Sequence, residues 1–139
     1  MPIIRIPCEE IILRAILKSG WLDENSRITA HAFVRSSKDR DGLSVNIRSR
    51  TAVEHWLASF NKSFGADTLH CGRIRDLDLG LDVGHAEEDL REQPDHAVVT
   101  GLPYQDEDPP RAERLASELV KISRVFDRTK RQKKYPLPT

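Results

Sequence analysis

Residues 27–47, RITAHAFVRSSKDRDGLSVNI, decide how this chain is read. Ile28 to Ser36 and Leu43 to Ile47 interleave β-branched and aromatic side chains with polar ones, the pattern of two strands, and Ser37-Lys38-Asp39-Arg40-Asp41-Gly42 between them is a turn-forming run. The Asp-Gly pair takes positive φ at low cost, so a hairpin is the natural closure, although its loop is longer than two residues. On alternating backbone His31, Phe33 and Arg35 share one face, and Ala32 and Val34 share the other. A counterpart runs from His96 to Tyr104, HAVVTGLPY, whose consecutive valines place it inside a sheet.

Working outward, residues 10–17 fit either a buried strand or a short helix, since the run is brief and Arg14 breaks its period, with strand the favoured reading, and Gly20 with Asp23-Glu24-Asn25-Ser26 forms a turn. Thr51-Ala52-Val53-Glu54 has the form of a capping box, so a helix is expected from Thr51 to about Ser63–Gly65, with Val53, Trp56, Leu57 and Phe60 on its apolar face. Thr68–Leu77 and Leu79–Val83 read as two short strands or one bent strand. Residues 84–95 are acidic and broken by Pro94, a surface loop with a turn of helix at Ala86–Arg91. A second helix is expected from Asp106–Pro110 to about Phe126, because Asp108 can cap it, Pro110 suits its first turn, and Lys121 and Arg124 sit near its negative end. Its buried stripe would be Ala112, Leu115, Ala116, Leu119, Ile122 and Phe126.

These elements imply an α+β domain over 1–127, an antiparallel or mixed sheet with the two main helices on one face, followed by a basic, Pro-containing flexible tail at 128–139. A length of 139 residues suits one domain, and 38% hydrophobic with 32% charged residues suits a soluble one. The 22 basic and 22 acidic side chains cancel, so no global field draws the protein to nucleic acid or to an anionic membrane, and any such binding is local. Two cysteines, Cys8 and Cys71, are too few for a secreted disulfide scaffold and fit a cytoplasmic setting. Charges at Arg5, Glu9, Glu10, Arg14 and Lys18 interrupt the apolar N-terminal stretch, so neither export nor membrane anchoring is expected.

The strand residues also carry a resemblance. Ile12-Leu13-Arg14, the Ala32-Phe33 pair followed by Gly42-Leu43-Ser44-Val45, the run Leu79-Gly80-Leu81-Asp82-Val83, and His96-Ala97 leading to Gly101-Leu102-Pro103 resemble a loosely defined group of short bacterial proteins of unknown function. The likeness spans about Ile11 to Arg124. In the similar proteins small hydroxyl residues tend to precede the Ala-Phe pair, where this chain has Thr29, Ala30 and His31. The resemblance implies no activity.

Candidate site residues follow from chemistry. His31 and His96 are candidates for proton transfer near neutral pH, and Arg14, Arg35 and Ser44 for holding an anionic ligand such as a nucleotide or RNA. The plainer alternative is that His31 and Arg35 line a solvated sheet face and His96 bonds a backbone carbonyl. A distant likeness to ADP-ribosyltransferase-type domains would give parts to Arg14 and Ser44, but the acidic residue that chemistry requires has no strand candidate, since Glu87, Glu88 and Glu92 fall in the polar loop. His70, Cys71, His85 and His96 have no metal-ligand spacing, so neither metal nor cofactor is expected, and Cys71 reads as a small core residue. In the tail, Lys130, Arg131, Lys133 and Lys134 could grip a phosphate backbone, although a solvated terminus is the more ordinary reading. The sequence favours a small non-catalytic binding or accessory protein working through a protein or nucleic-acid partner. The alternative is an enzyme acting on RNA or a nucleotide, by phosphodiester cleavage or ADP-ribosyl transfer.

Overall fold

Leu43–Ile47 form β3, in which Leu43, Val45 and Ile47 are buried in the main core while Ser44 and Asn46 are turned to the opposite face. In the computed structural model, which describes residues 3–132, β3 is the central strand of a seven-stranded antiparallel sheet. The other strands are β1 (Ile3–Arg5), β2 (Ile11–Ala15), β5 (Ala66–His70), β6 (Asp82–Ala86), β7 (His96–Thr100) and β8 (Arg124–Asp127), in the order β1-β6-β7-β3-β2-β5-β8. A second, two-stranded sheet joins β4 (Lys62–Ser63) to β9 (Arg131–Gln132). Four α-helices complete the described chain: α1 (Val53–Ala58), α2 (Cys71–Asp76), α3 (Glu87–Glu92) and α4 (Pro109–Ile122). The protein is thus an α+β domain built on a large antiparallel sheet.

One face of the sheet carries the main core. Ile12 of β2 lies opposite Ile47 of β3 and Leu69 of β5, and these pack with Val83, Ala97 and Val99 beneath Leu115, Ala116, Leu119 and Ile122 of α4. The start of α4 is as expected: Asp108 Oδ1 accepts a hydrogen bond from the Arg111 amide at 3.2 Å, and Pro109 and Pro110 occupy the first turn, where no amide donor is needed. The helix ends at Ile122, so Phe126 falls in β8 and not in the helical stripe. α1 packs elsewhere. Its Leu57 clusters with Ala15 and Ala66, a directly opposed pair that alternates onto the other face, together with Leu17, Val53, Trp56 and Phe60. The expected placement of both main helices on one face is not found.

Several local expectations are corrected. Residues 28–36 do not form a strand, and no hairpin joins them to β3. Ala30–Phe33 is a turn of 3-10 helix, with Ala32 and Phe33 fully buried in the main core under α4, and the segment keeps only isolated bridges, Leu22 to Ile28 and Arg35 to Tyr104. Both edges of β3 are already occupied, by β2 and β7, so no edge remains for a hairpin partner. Thr68–Leu77 divides into the end of β5 and α2, which puts Cys71 at a helix start, fully buried. Leu79 and Gly80 belong to a turn that uses positive φ at Asp78 and Gly80, so the strand expected at 79–83 begins only at Asp82. The acidic segment holds the six-residue α3. Thr51 makes no capping box: its hydroxyl donates to the Ile47 carbonyl at 2.6 Å, and α1 ends at Ala58.

Beyond Asp127 the chain continues into the fold as far as it is described. Arg128 Nη1 lies 2.6 Å from Asp67 Oδ1, and Arg131 pairs with Asp127 at 2.8 Å and opposes Ser63 of β4. Asp67 is 1% exposed, and burial raises its carboxyl pKa even against the opposing influence of Arg128. The contact is a charge pair without hydrogen-bond alignment, since Asp67 Oδ1 and Arg128 Nη2 both lack a hydrogen-bond partner. Lys133 and Lys134 lie outside the described residues.

Candidate functional site

The face opposite α4 carries a cleft of about 340 Å³. Its floor follows from strand alternation: Asn46 of β3 is directly opposite His96 of β7, and Ser44 lies two residues along β3 on the same face. Trp56 of α1 and Phe60, just beyond the end of that helix, close one side, their rings meeting edge to face with centroids 5.8 Å apart, and Gln93 and Asp95 from the segment after α3 close another. A one-and-a-half-turn helix can bury only a narrow stripe. Leu57 takes the buried position, and the two aromatics on either side of it are left half-buried at the cleft.

The polar groups of the floor are held in place. Asn46, 7% exposed, donates from Nδ2 to Asp95 Oδ2 at 3.1 Å and to Thr51 Oγ1 at 3.4 Å. His96 Nδ1 is 2.7 Å from Asp89 Oδ2 of α3, a contact that orients the ring and leaves Nε2 as its second polar atom. The His96 backbone carbonyl is met by Nδ1 of the buried His85 at 2.9 Å, which fixes β7 against β6. Ser44 is diagonal to His96 across the β3–β7 pair, a separation of roughly 7–8 Å between such positions, and the two share no hydrogen bond. The floor therefore offers an imidazole–carboxylate couple but no activated serine nucleophile.

Of the residues singled out from sequence, Arg14, Ser44 and His96 border this cleft, and His31 and Arg35 lie elsewhere. Arg14 alternates onto the core face with Ile12, where Nε donates to the Ala32 carbonyl at 2.7 Å, Nη1 donates to the Ser44 carbonyl at 2.8 Å, and the guanidinium stands 5.1 Å from the Trp21 ring. Burial lowers its pKa to about 10, against the opposing charge of Asp39, so it remains a cation at neutral pH, with Nε and Nη1 committed to backbone carbonyls. His31 is exposed on the 3-10 turn under α4, on the opposite side of the sheet from His96. Arg35 is a clasp: it donates to the carbonyls of Asp39 (2.8 Å), Leu102 (3.1 Å) and Arg40 and to the Tyr104 hydroxyl (3.0 Å), and it stacks 3.9 Å from the Tyr104 ring. In the tail, Lys130 lies over the Phe64 ring at 5.8 Å, and Arg131 is held by Asp127.

The sequence reading missed Asn46, Trp56, Phe60, Asp89 and Asp95 as site residues. Asn46 left a signal, a carboxamide between Val45 and Ile47 on a core strand, and two aromatics four residues apart, Trp56 and Phe60, were another. Among the described residues no group of three or more His, Cys, Asp or Glu could hold a metal ion, and no helix is long and apolar enough to cross a membrane. Comparison with protein-family models, with curated proteins and with solved structures finds no match.

Proposed function

We propose that this is a small cytoplasmic, non-catalytic binding protein whose partner is a protein, read through the cleft beneath α1. The observation that carries the reading is the pairing of an aromatic wall, Trp56 and Phe60, with a fixed polar floor of Asn46, Asp95 and His96 in a space of about 340 Å³. That volume lies at the small end of ligand sites and suits one side chain of a partner better than a length of chain. Aromatic residues beside oriented polar groups are typical anchors of recognition surfaces. A nucleic-acid partner is disfavoured because the neighbouring segment supplies Glu87, Glu88, Glu92 and Asp95, which repel phosphate. Two free thiols, one exposed at Cys8 and one buried at Cys71, accord with a reducing compartment. The test is nuclear magnetic resonance of the two indole N–H groups, assigned with Trp21→Phe, during titration with short peptides. Binding at the cleft shifts the Trp56 signal and spares Trp21; a set of peptides covering acidic, basic and apolar side chains that leaves Trp56 unmoved would reject the reading.

A second reading rests on the Asp89–His96 couple, which suits a general base acting on RNA or a nucleotide held in the cleft. It ranks lower because the one arginine bordering the cleft among the described residues, Arg14, turns Nε and Nη1 to carbonyls, and the acidic side chains of α3 and Asp95 oppose a phosphate. Turnover of RNA or a nucleotide that His96→Ala abolishes, while the fold persists, would favour it over binding alone.

A further inference from the structure

We infer that the side chain taken by the cleft is cationic, a guanidinium or a methylated ammonium from a basic segment of the partner. The inference deepens the binding reading above and rests on it. Asp95 carries the argument: it lines the cleft, one of its oxygens accepts from Asn46, and no Lys, Arg or His among the described residues pairs with it. An ionised carboxylate has acceptor positions for several donors, so a half-buried Asp95 with one neutral donor keeps capacity for a charged one. The Trp56–Phe60 pair supplies the other half of a cation site, since the negative faces of aromatic rings attract ammonium and guanidinium groups.

The surroundings have the same sign. Glu87, Glu88 and Glu92 of α3 are exposed and form no ion pair among the described residues, while Asp89 is committed to His96. Three guanidinium groups oppose this sign: Arg14 borders the cleft with two of its nitrogens turned to the Ala32 and Ser44 carbonyls, Arg91 lies on α3, and Arg50 donates to the Pro94 carbonyl beside Asp95. A basic partner segment would thus meet an acidic margin on approach, which speeds association, and would place one cation between the aromatic pair and Asp95.

The experiment titrates acetyl-Gly-X-Gly amides, with X as arginine, trimethyllysine, citrulline, norleucine or glutamate, and separately guanosine monophosphate, into the protein while the Trp56 indole resonance is followed. Arginine and trimethyllysine should bind about tenfold more tightly than citrulline and norleucine, and Asp95→Asn, which keeps an oxygen for Asn46, should remove most of that preference. Equal binding of citrulline and arginine, or preference for norleucine, would overturn the cation inference and leave the cleft as a binding site. Preference for the glutamate peptide would overturn the inference alone, and preference for guanosine monophosphate would overturn both readings. A Trp56 signal that no probe moves at millimolar concentration would also overturn both.

Discussion

Arg14 shows how a residue that attracts a functional reading can be consumed by structure. From sequence it is a cation in an apolar strand, which fits an anion site; in the fold it ties the 3-10 turn, through Ala32, to β3, through Ser44. Arg14→Met would leave two buried carbonyls unpaired, and an unsatisfied buried group costs roughly 1–3 kcal/mol, so a loss of about 3 kcal/mol is expected in urea unfolding. Carboxylates set the acid limit. Burial would raise the Asp82 carboxyl, but the 2.6 Å hydrogen bond from Arg75, the Val83 amide and the charges of Arg75 and Arg5 outweigh it and hold the pKa below the ordinary value. Its contribution is present above the ordinary carboxyl pKa and is lost as pH falls through the folded value. Asp127, where Arg131 and Thr129 outweigh burial, behaves the same way. Asp67 has the opposite sign: its raised pKa makes its contribution larger in acid and smaller as pH rises. Asp82→Asn should therefore narrow the gap in unfolding midpoint between about pH 7 and pH 3, as thermal unfolding at the two values will show.

Among the elements, those with strong local signals were legible. β3, β7, the existence of β2, and α4 with its Asp108 cap all declared themselves through alternation, β-branched content or end signals. The segment around His31 did not, because Ile-Thr-Ala-His-Ala-Phe-Val satisfies a strand pattern while β3, the strand that follows it in the chain, has no free edge for it, and the small Ala30 and Ala32 permit a tight turn that drops Phe33 into the core. The Thr51 box failed because α1 begins at Val53 with Ala52 at its cap, which leaves Thr51 one residue too early to accept from the first-turn amides, and its hydroxyl donates to the Ile47 carbonyl instead. β1 depends on a close approach that only glycine allows: a Cβ on Gly84 would lie 2.5 Å from Ile3 Cγ2 and 2.6 Å from the Ile4 carbonyl oxygen. Gly84→Ala should detach β1 from β6 at a cost of about 1–3 kcal/mol. Hydrogen exchange would then accelerate at the β1 and β6 amides that bridge the two strands and stay slow in β3, and unchanged protection of those amides would refute the expectation.

At the level of the whole molecule, the cleft was invisible in sequence because its parts come from β2, β3, α1 and the approach to β7, which only the strand order brings together. The sequence pattern makes residue 128 the start of a flexible tail, and in the fold Arg128 pairs with the buried Asp67, far from it along the chain. Ending the chain at Asp127 would leave a buried carboxylate unpaired, a loss of roughly 3–5 kcal/mol, and urea unfolding of the shortened protein checks it. The strand order has one more consequence. β1 and β8, near the two ends of the described chain, occupy the outer positions of the sheet, and each rests on a neighbour that must be in place first. Every strand pairing in the large sheet except β6 with β7 joins segments well separated along the chain, so loop-closure entropy must be spent before most contacts repay it. Refolding should accordingly be slow for a chain of this size and start from the β6–β7 pair, whose closure costs least, with the long-range partners of β3 and the outer β8 joining later.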